Sequence, residues 1–179
     1  MSSAAVNYGN ALYELAKDHG LAEKILGEFE ETARLFTENP DYVRVLSLTS
    51  LSKAERCGLL DKAFAGKAEQ YLLNGLKVML ENGHIRAVPD TFLQYKKRFN
   101  EDAGIDEAVV YSATALSDAQ KSRLTAKLAA VTGKKIVLQT QVDPSLIGGI
   151  RLKMNGQQYD GSVRERLDRL QKILSETVI

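Results

Sequence analysis

The sequence predicts an α+β chain, mainly α, with an N-terminal six-helix antiparallel bundle over residues 1–104 and a small C-terminal α/β domain over residues 105–179. Three observations carry that reading. Up to Asn100, apolar residues recur at helical spacing between frequent stops at Gly20, Asn39-Pro40, Gly66 and Gly83. Beyond Gly104 the pattern changes to short strand-like runs separated by turns. The connections in the first part are short, and short connections fold consecutive helices back on one another.

The first helix is read over about 4–19, with Tyr8, Leu12 and Leu15 on one face. The second spans about 21–38 and carries Ile25, Leu26, Phe29, Ala33 and Phe36. A short third helix covers 41–48. Ser52-Lys53-Ala54-Glu55 has the form of a capping box and opens the fourth, over about 52–65. The fifth, residues 68–82, is apolar most of the way round: Leu72, Leu73, Leu76, Val78, Met79 and Leu80 leave a narrow polar stripe. Such a helix is central in its bundle or presents a docking face. The sixth covers 84–103, with Pro89 near its start, where proline is tolerated.

In the second part, Ala108–Ala113 reads as a strand. Ser117-Asp118-Ala119-Gln120 is a second capping box, opening a helix to about Thr132 with Leu124, Leu128 and Val131 on one face. Ile136–Val142 is a strand that Asp143-Pro144-Ser145 breaks. Ile150–Met154 alternates apolar and polar, Asn155-Gly156 is a hairpin turn, and Gln157–Tyr159 returns as its partner. Ser162 caps a last helix, with Glu165 completing a third box and Val163, Leu167, Leu170 and Leu174 on one face.

Composition narrows the function. A near-neutral charge of +1 gives no global pull toward nucleic acid or an acidic membrane. No apolar run is long enough to span a bilayer. The opening residues do not have the form of a secretory signal, and the single Cys57 fits a reducing cytosol. His19 and His84 have no partner at metal-ligand spacing. Gly148-Gly149 matches no phosphate-binding spacing and reads as a turn or bulge. No nucleophile, paired-carboxylate or dinucleotide pattern occurs, so neither catalysis nor a cofactor is expected. Arg164, Arg166 and Arg169 make the last helix basic, which is a solvated face, a contact for an acidic partner, or an RNA surface. The RNA version lacks an adjacent aromatic platform.

Two stretches carry a resemblance. Val142-Asp143-Pro144-Ser145-Leu146-Ile147-Gly148-Gly149 and Asp160-Gly161-Ser162-Val163-Arg164-Glu165-Arg166-Leu167-Asp168-Arg169-Leu170 resemble the C-terminal signature of the delta subunit of bacterial F-type ATP synthase, the oligomycin sensitivity-conferring protein family. Tyr8-Gly9-Asn10-Ala11-Leu12 and Val78-Met79-Leu80-Glu81-Asn82-Gly83-His84-Ile85 resemble its N-terminal motifs, so the likeness runs the length of the chain. It implies a non-catalytic stator connector at the cytoplasmic face of the bacterial inner membrane, reaching the membrane only through its complex. The F1 alpha subunit N-terminal helix would lie in a groove between the first and fifth helices, and the C-terminal domain would meet the b subunits of the peripheral stalk. The groove residues are then Tyr8, Ala11, Leu12, Leu15, Leu72, Asn74, Leu76, Val78 and Met79, and the b-subunit contacts Arg164, Arg166 and Arg169. The alternative is a nucleic-acid-binding module using the basic last helix.

Overall fold

The computed structural model describes residues 2–48, 50–64, 66–165 and 167. The chain divides into two compact units, Met1–Asp102 and Ala103–Ile179. It is mainly helical, with one small four-stranded sheet.

The helical unit holds α1 (Ser3–Asp18), α2 (Ala22–Glu38), α3 (Pro40–Leu46), α4 (Lys53–Phe64), α5 (Gln70–Glu81) and α6 (Val88–Asp102). Local chemistry sets their ends. Ser2 Oγ accepts from the Ala5 N–H at the start of α1. The box predicted at α4 forms in both directions: the Glu55 N–H donates to Ser52 Oγ at 3.2 Å and the Ser52 N–H to Glu55 Oε2 at 2.8 Å. Several boundaries differ from the sequence reading by one or two residues, α5 beginning at Gln70 and α3 ending at Leu46, and two differences have a clear cause. Pro40 opens α3 as its first residue, since proline's fixed φ and missing N–H suit that position. Residues 84–87 do not belong to α6. Ile85–Ala87 form a separate 3-10 turn, and Pro89 then sits in the first turn of the helix.

The core is aromatic. Phe29 of α2 is fully buried and meets Phe92 and Tyr95 of α6 edge to face, at centroid distances of 5.6 and 5.8 Å. Tyr95 spends its hydroxyl on the Ala22 carbonyl at 2.9 Å, so no polar atom is stranded. Gly9 lets α1 lie directly against α6. A Cβ there would sit 2.8 Å from both the Thr91 carbonyl oxygen and Gln94 Cβ.

The second unit holds β1 (Ile105–Ser112), α7 (Asp118–Thr132), β2 (Lys135–Val142), β3 (Ile150–Met154) and β4 (Gln157–Asp160), in sheet order β2-β1-β3-β4. β1 and β2 are parallel, which requires the crossover that α7 supplies; the other pairings are antiparallel. The capping box at Ser117 opens α7 as predicted, and Gly133 closes it in the left-handed conformation. Asn155 and Gly156 both take positive φ, the conformation a two-residue hairpin needs. The Glu165 N–H donates to Ser162 Oγ, while the N–H of Ser162 goes to Asp160 Oδ1. At Gly149, φ is +78° and a Cβ would stand 2.5 Å from the Gly161 carbonyl oxygen, so the turn read from the glycine pair has a steric basis. Val131, predicted to pack, is 85% exposed. Val163 and Leu167 are also exposed, and Leu170 and Leu174 lie outside the described residues.

β1 begins three residues earlier than the sequence reading placed it, which buries Asp106. Its carboxylate accepts from Lys134 Nζ at 3.0 Å and Asn155 Nδ2 at 3.1 Å. Burial alone would raise its pKa, but these two donors outweigh that and hold the carboxyl below its usual range. A depressed folded pKa gives stability that is present above the ordinary carboxylate range and fades as pH falls through the folded value. Asp106→Ala should therefore lower the stability of this unit by about 1–3 kcal/mol at neutral pH and flatten its loss of stability below about pH 4. Urea melts of wild type and variant across pH 2–7 check both.

Candidate functional site

α1 and α5 lie side by side and run in opposite directions. His19, at the end of α1, stacks on Tyr71 at the start of α5, with ring centroids 4.6 Å apart. At the other end Tyr8 meets His84, just beyond α5, at a centroid distance of 5.8 Å. Between these ring pairs lies a concavity of about 430 Å³. All nine groove residues named from the sequence line it: Tyr8, Ala11, Leu12, Leu15, Leu72, Asn74, Leu76, Val78 and Met79.

They do not play the same part. Leu12, Leu72, Leu76 and Met79 are buried members of the core and form the floor. Val78, 47% exposed, and Leu15, 39% exposed, form an apolar rim with the exposed Ala11 and Asn74. Tyr8 is half-buried between the two sets. α5 is thus both central and surface-forming: Leu72, Leu73, Leu76, Met79 and Leu80 face inward while Val78 faces out.

Polar groups mark the ends of the trough. Tyr8 Oη accepts from Asn82 Nδ2 at 3.1 Å and lies 3.2 Å from His84 Nδ1. Gln70 Nε2 donates to Asn74 Oδ1 at 2.9 Å, and the Asn74 amide nitrogen has no acceptor among the described residues. Mid-trough, the missing side chain of Gly75 keeps the space open, with Leu12 Cδ1 3.6 Å from where a Cβ would be.

Four lining residues were missed by the sequence reading: Phe29, Tyr71, Gly75 and Thr91. Tyr71 and Gly75 share a helical stripe with Asn74 and Val78, and a glycine inside a helix is itself a signal of close approach. Phe29 and Thr91 come from α2 and α6, and no spacing within α1 or α5 points to them.

Of the basic residues proposed on the last helix, Arg164 is exposed, while Arg166 and Arg169 lie outside the described residues. Among the described residues no group of His, Cys, Asp and Glu is arranged to hold a metal, and no helix is long and apolar enough to cross a membrane. The groove has the chemistry of a docking site: an apolar floor, an exposed apolar rim, and hydrogen-bonding groups confined to its edges.

Residues 4–174 match the family model described as ATP synthase delta (OSCP) subunit. ATP synthase subunit delta of Halalkalibacterium halodurans is 34% identical over 177 residues, 97% of each chain. The same subunit of Rhizobium rhizogenes is 32% identical over 178 residues, covering 98% of this chain and 94% of its own. A chain in the cryo-EM structure of the Toxoplasma gondii mitochondrial ATP synthase hexamer shares the fold with a TM-score of 0.70 at 18% identity, covering 97% of this chain and 98% of that one. The chain belongs to the ATP synthase delta (OSCP) subunit family, and is a structural subunit of the peripheral stalk of that membrane-associated complex rather than a catalytic one.

Proposed function

We propose that this chain is the connector of the stator, joining the alpha/beta catalytic head to the b-subunit peripheral stalk so that proton-driven rotation is coupled to ATP synthesis. In this reading residues 1–104 act as an antiparallel six-helix bundle whose α1–α5 groove receives the N-terminal helix of an alpha subunit. Residues 105–179 meet the b subunits, with Arg164, Arg166 and Arg169 as contacts. The work is done at the cytoplasmic face of the bacterial inner membrane, to which the complex anchors the chain, and nucleic acid is not involved.

The observation that carries this reading is the partition of the groove. Val78 and Leu15 are exposed apolar side chains on a floor of buried ones, arranged along two antiparallel helices. An amphipathic helix laid between them would bury that rim, and each well-covered apolar side chain contributes about 1.5–3 kcal/mol before ordering costs. A stator bears cyclic load, so its contacts must dissociate slowly. Apolar burial supplies that, because differences in affinity reside mainly in the off-rate.

The test is co-purification. The tagged full chain should bring down the soluble ATPase head together with the b subunits. A chain ending at Gly104 should keep the head and lose the stalk, while retaining a helical circular dichroism spectrum. Retention of the b subunits by the shortened chain would overturn the division of labour, and loss of the head from the full chain would overturn the function.

A further inference from the structure

The helical unit has a second cavity, of about 500 Å³, on which four elements converge: the end of α3, the first half of α4, the end of α5 and the 3-10 turn before α6. Arg56 of α4 and Arg86 of the turn both line it. They are drawn to adjacent residues. Arg56 Nη1 donates to the Leu46 carbonyl at 3.4 Å, and Arg86 Nε donates to Ser47 Oγ at 3.3 Å. The negative end of the α3 dipole favours cations there. That accounts for their position but uses little of their hydrogen-bonding capacity.

A guanidinium carries five N–H donors, and among the described residues each of these two arginines has one acceptor. Arg56 Nε is closed off from solvent with no acceptor among the described residues, which leaves the outer guanidinium nitrogens as the donors a ligand in the cavity can meet. Among the described residues no carboxylate lies within ion-pair distance of either, whereas Arg34, Arg44, Arg98 and Arg151 each have one.

We propose that this cavity is an oxyanion site that takes a phosphate group between Arg56 and Arg86. The donor count favours phosphate over carboxylate. A carboxylate is planar and carries one charge, whereas a phosphate carries up to two and points its oxygens in tetrahedral directions, so two guanidinium groups on different walls can each face a pair of them. Glu81 also lines the cavity and opposes an anion, so it limits the affinity. Ser47 contributes no donor, because its hydroxyl already donates to the Val43 carbonyl at 2.8 Å.

The probe is inorganic phosphate, titrated into the full chain at constant ionic strength against chloride, with the arginine Nε–H resonances as readout. The Arg56 and Arg86 signals should move together and saturate. Arg86→Gln, at an exposed position, should weaken binding about tenfold. Arg56→Lys keeps the charge but loses the fork and should weaken it comparably, and Glu81→Gln should tighten it. Vesicles containing phosphatidic acid form a second arm. Sedimentation with them that Arg86→Gln abolishes assigns the phosphate to a lipid headgroup, whereas saturation by free phosphate without vesicle binding assigns it to a soluble ligand. Absence of saturable binding to both probes overturns the proposal, as does an undiminished response in Arg86→Gln.

Discussion

Replacing Tyr8 and Val78 together by aspartate should reduce the affinity for an alpha-subunit N-terminal peptide by at least about 100-fold while leaving the protein folded. The two side chains stand on opposite walls of the trough, Tyr8 on α1 and Val78 on α5. A docked apolar helix would desolvate both carboxylates without pairing them, and burying an unpaired polar or charged group costs several kcal/mol. The fold should tolerate the change because Val78 is half exposed and Tyr8 only half-buried. Tyr8→Phe keeps the ring and removes only the hydroxyl that meets Asn82 and His84. Its loss should be far smaller, about tenfold or less. Calorimetric titration with circular dichroism as a folding control measures both. Unchanged affinity in the double aspartate variant would remove the groove from the mechanism. Leu72→Asp or Leu76→Asp would not be an informative substitute, since those side chains are in the core and the variants would lose the fold along with the site.

Gly9→Ala should destabilise the helical unit by about 1–3 kcal/mol, the usual cost of overpacking a well-filled contact. Helix propensity alone predicts the opposite sign, because alanine is favoured over glycine in a helix interior by about 1 kcal/mol. Position 9 reverses it. The added methyl would meet the Thr91 carbonyl oxygen and Gln94 Cβ at 2.8 Å, and the first of these is backbone that moves only if α6 moves. Gly27 and Gly58 supply the control. Each lies within a helix with nothing near the place a Cβ would occupy, and alanine there should stabilise by about 0.5–1 kcal/mol. Urea midpoints of the three variants should therefore split in sign. A rise in all three would mean that α1 and α6 are not packed through Gly9.

The same contrast explains which features were legible in the sequence. Caps and turns were. Ser52 with Glu55, Ser117 with Gln120, and Asn155-Gly156 all form as read, because each is a contact between residues no more than three apart. The split of the sixth helix at Ile85–Ala87 was not, although Pro89 sits nearby. Proline is acceptable in the first turn of a helix whether that turn begins at 84 or at 88. Val131 fell on the apolar stripe of α7, yet the stripe by itself does not say how far along the helix its cover extends.

The order of helices and strands, the caps at Ser52 and Ser117 and the Asn155-Gly156 turn are written in the chain itself. Packing is what separates Leu12, Leu72, Leu76 and Met79, the floor, from Tyr8, Ala11, Leu15, Asn74 and Val78, the accessible surface. It also decided that Asp106 is buried and that Arg56 and Arg86 share one cavity. The physical reason is the range of the interactions. Capping and turns are settled within a few residues, where spacing is visible along the chain. Burial is settled by whichever helix packs opposite: apolar side chains on α1 and α5 look alike in sequence whether α2 and α6 cover them or the solvent-facing trough leaves them open.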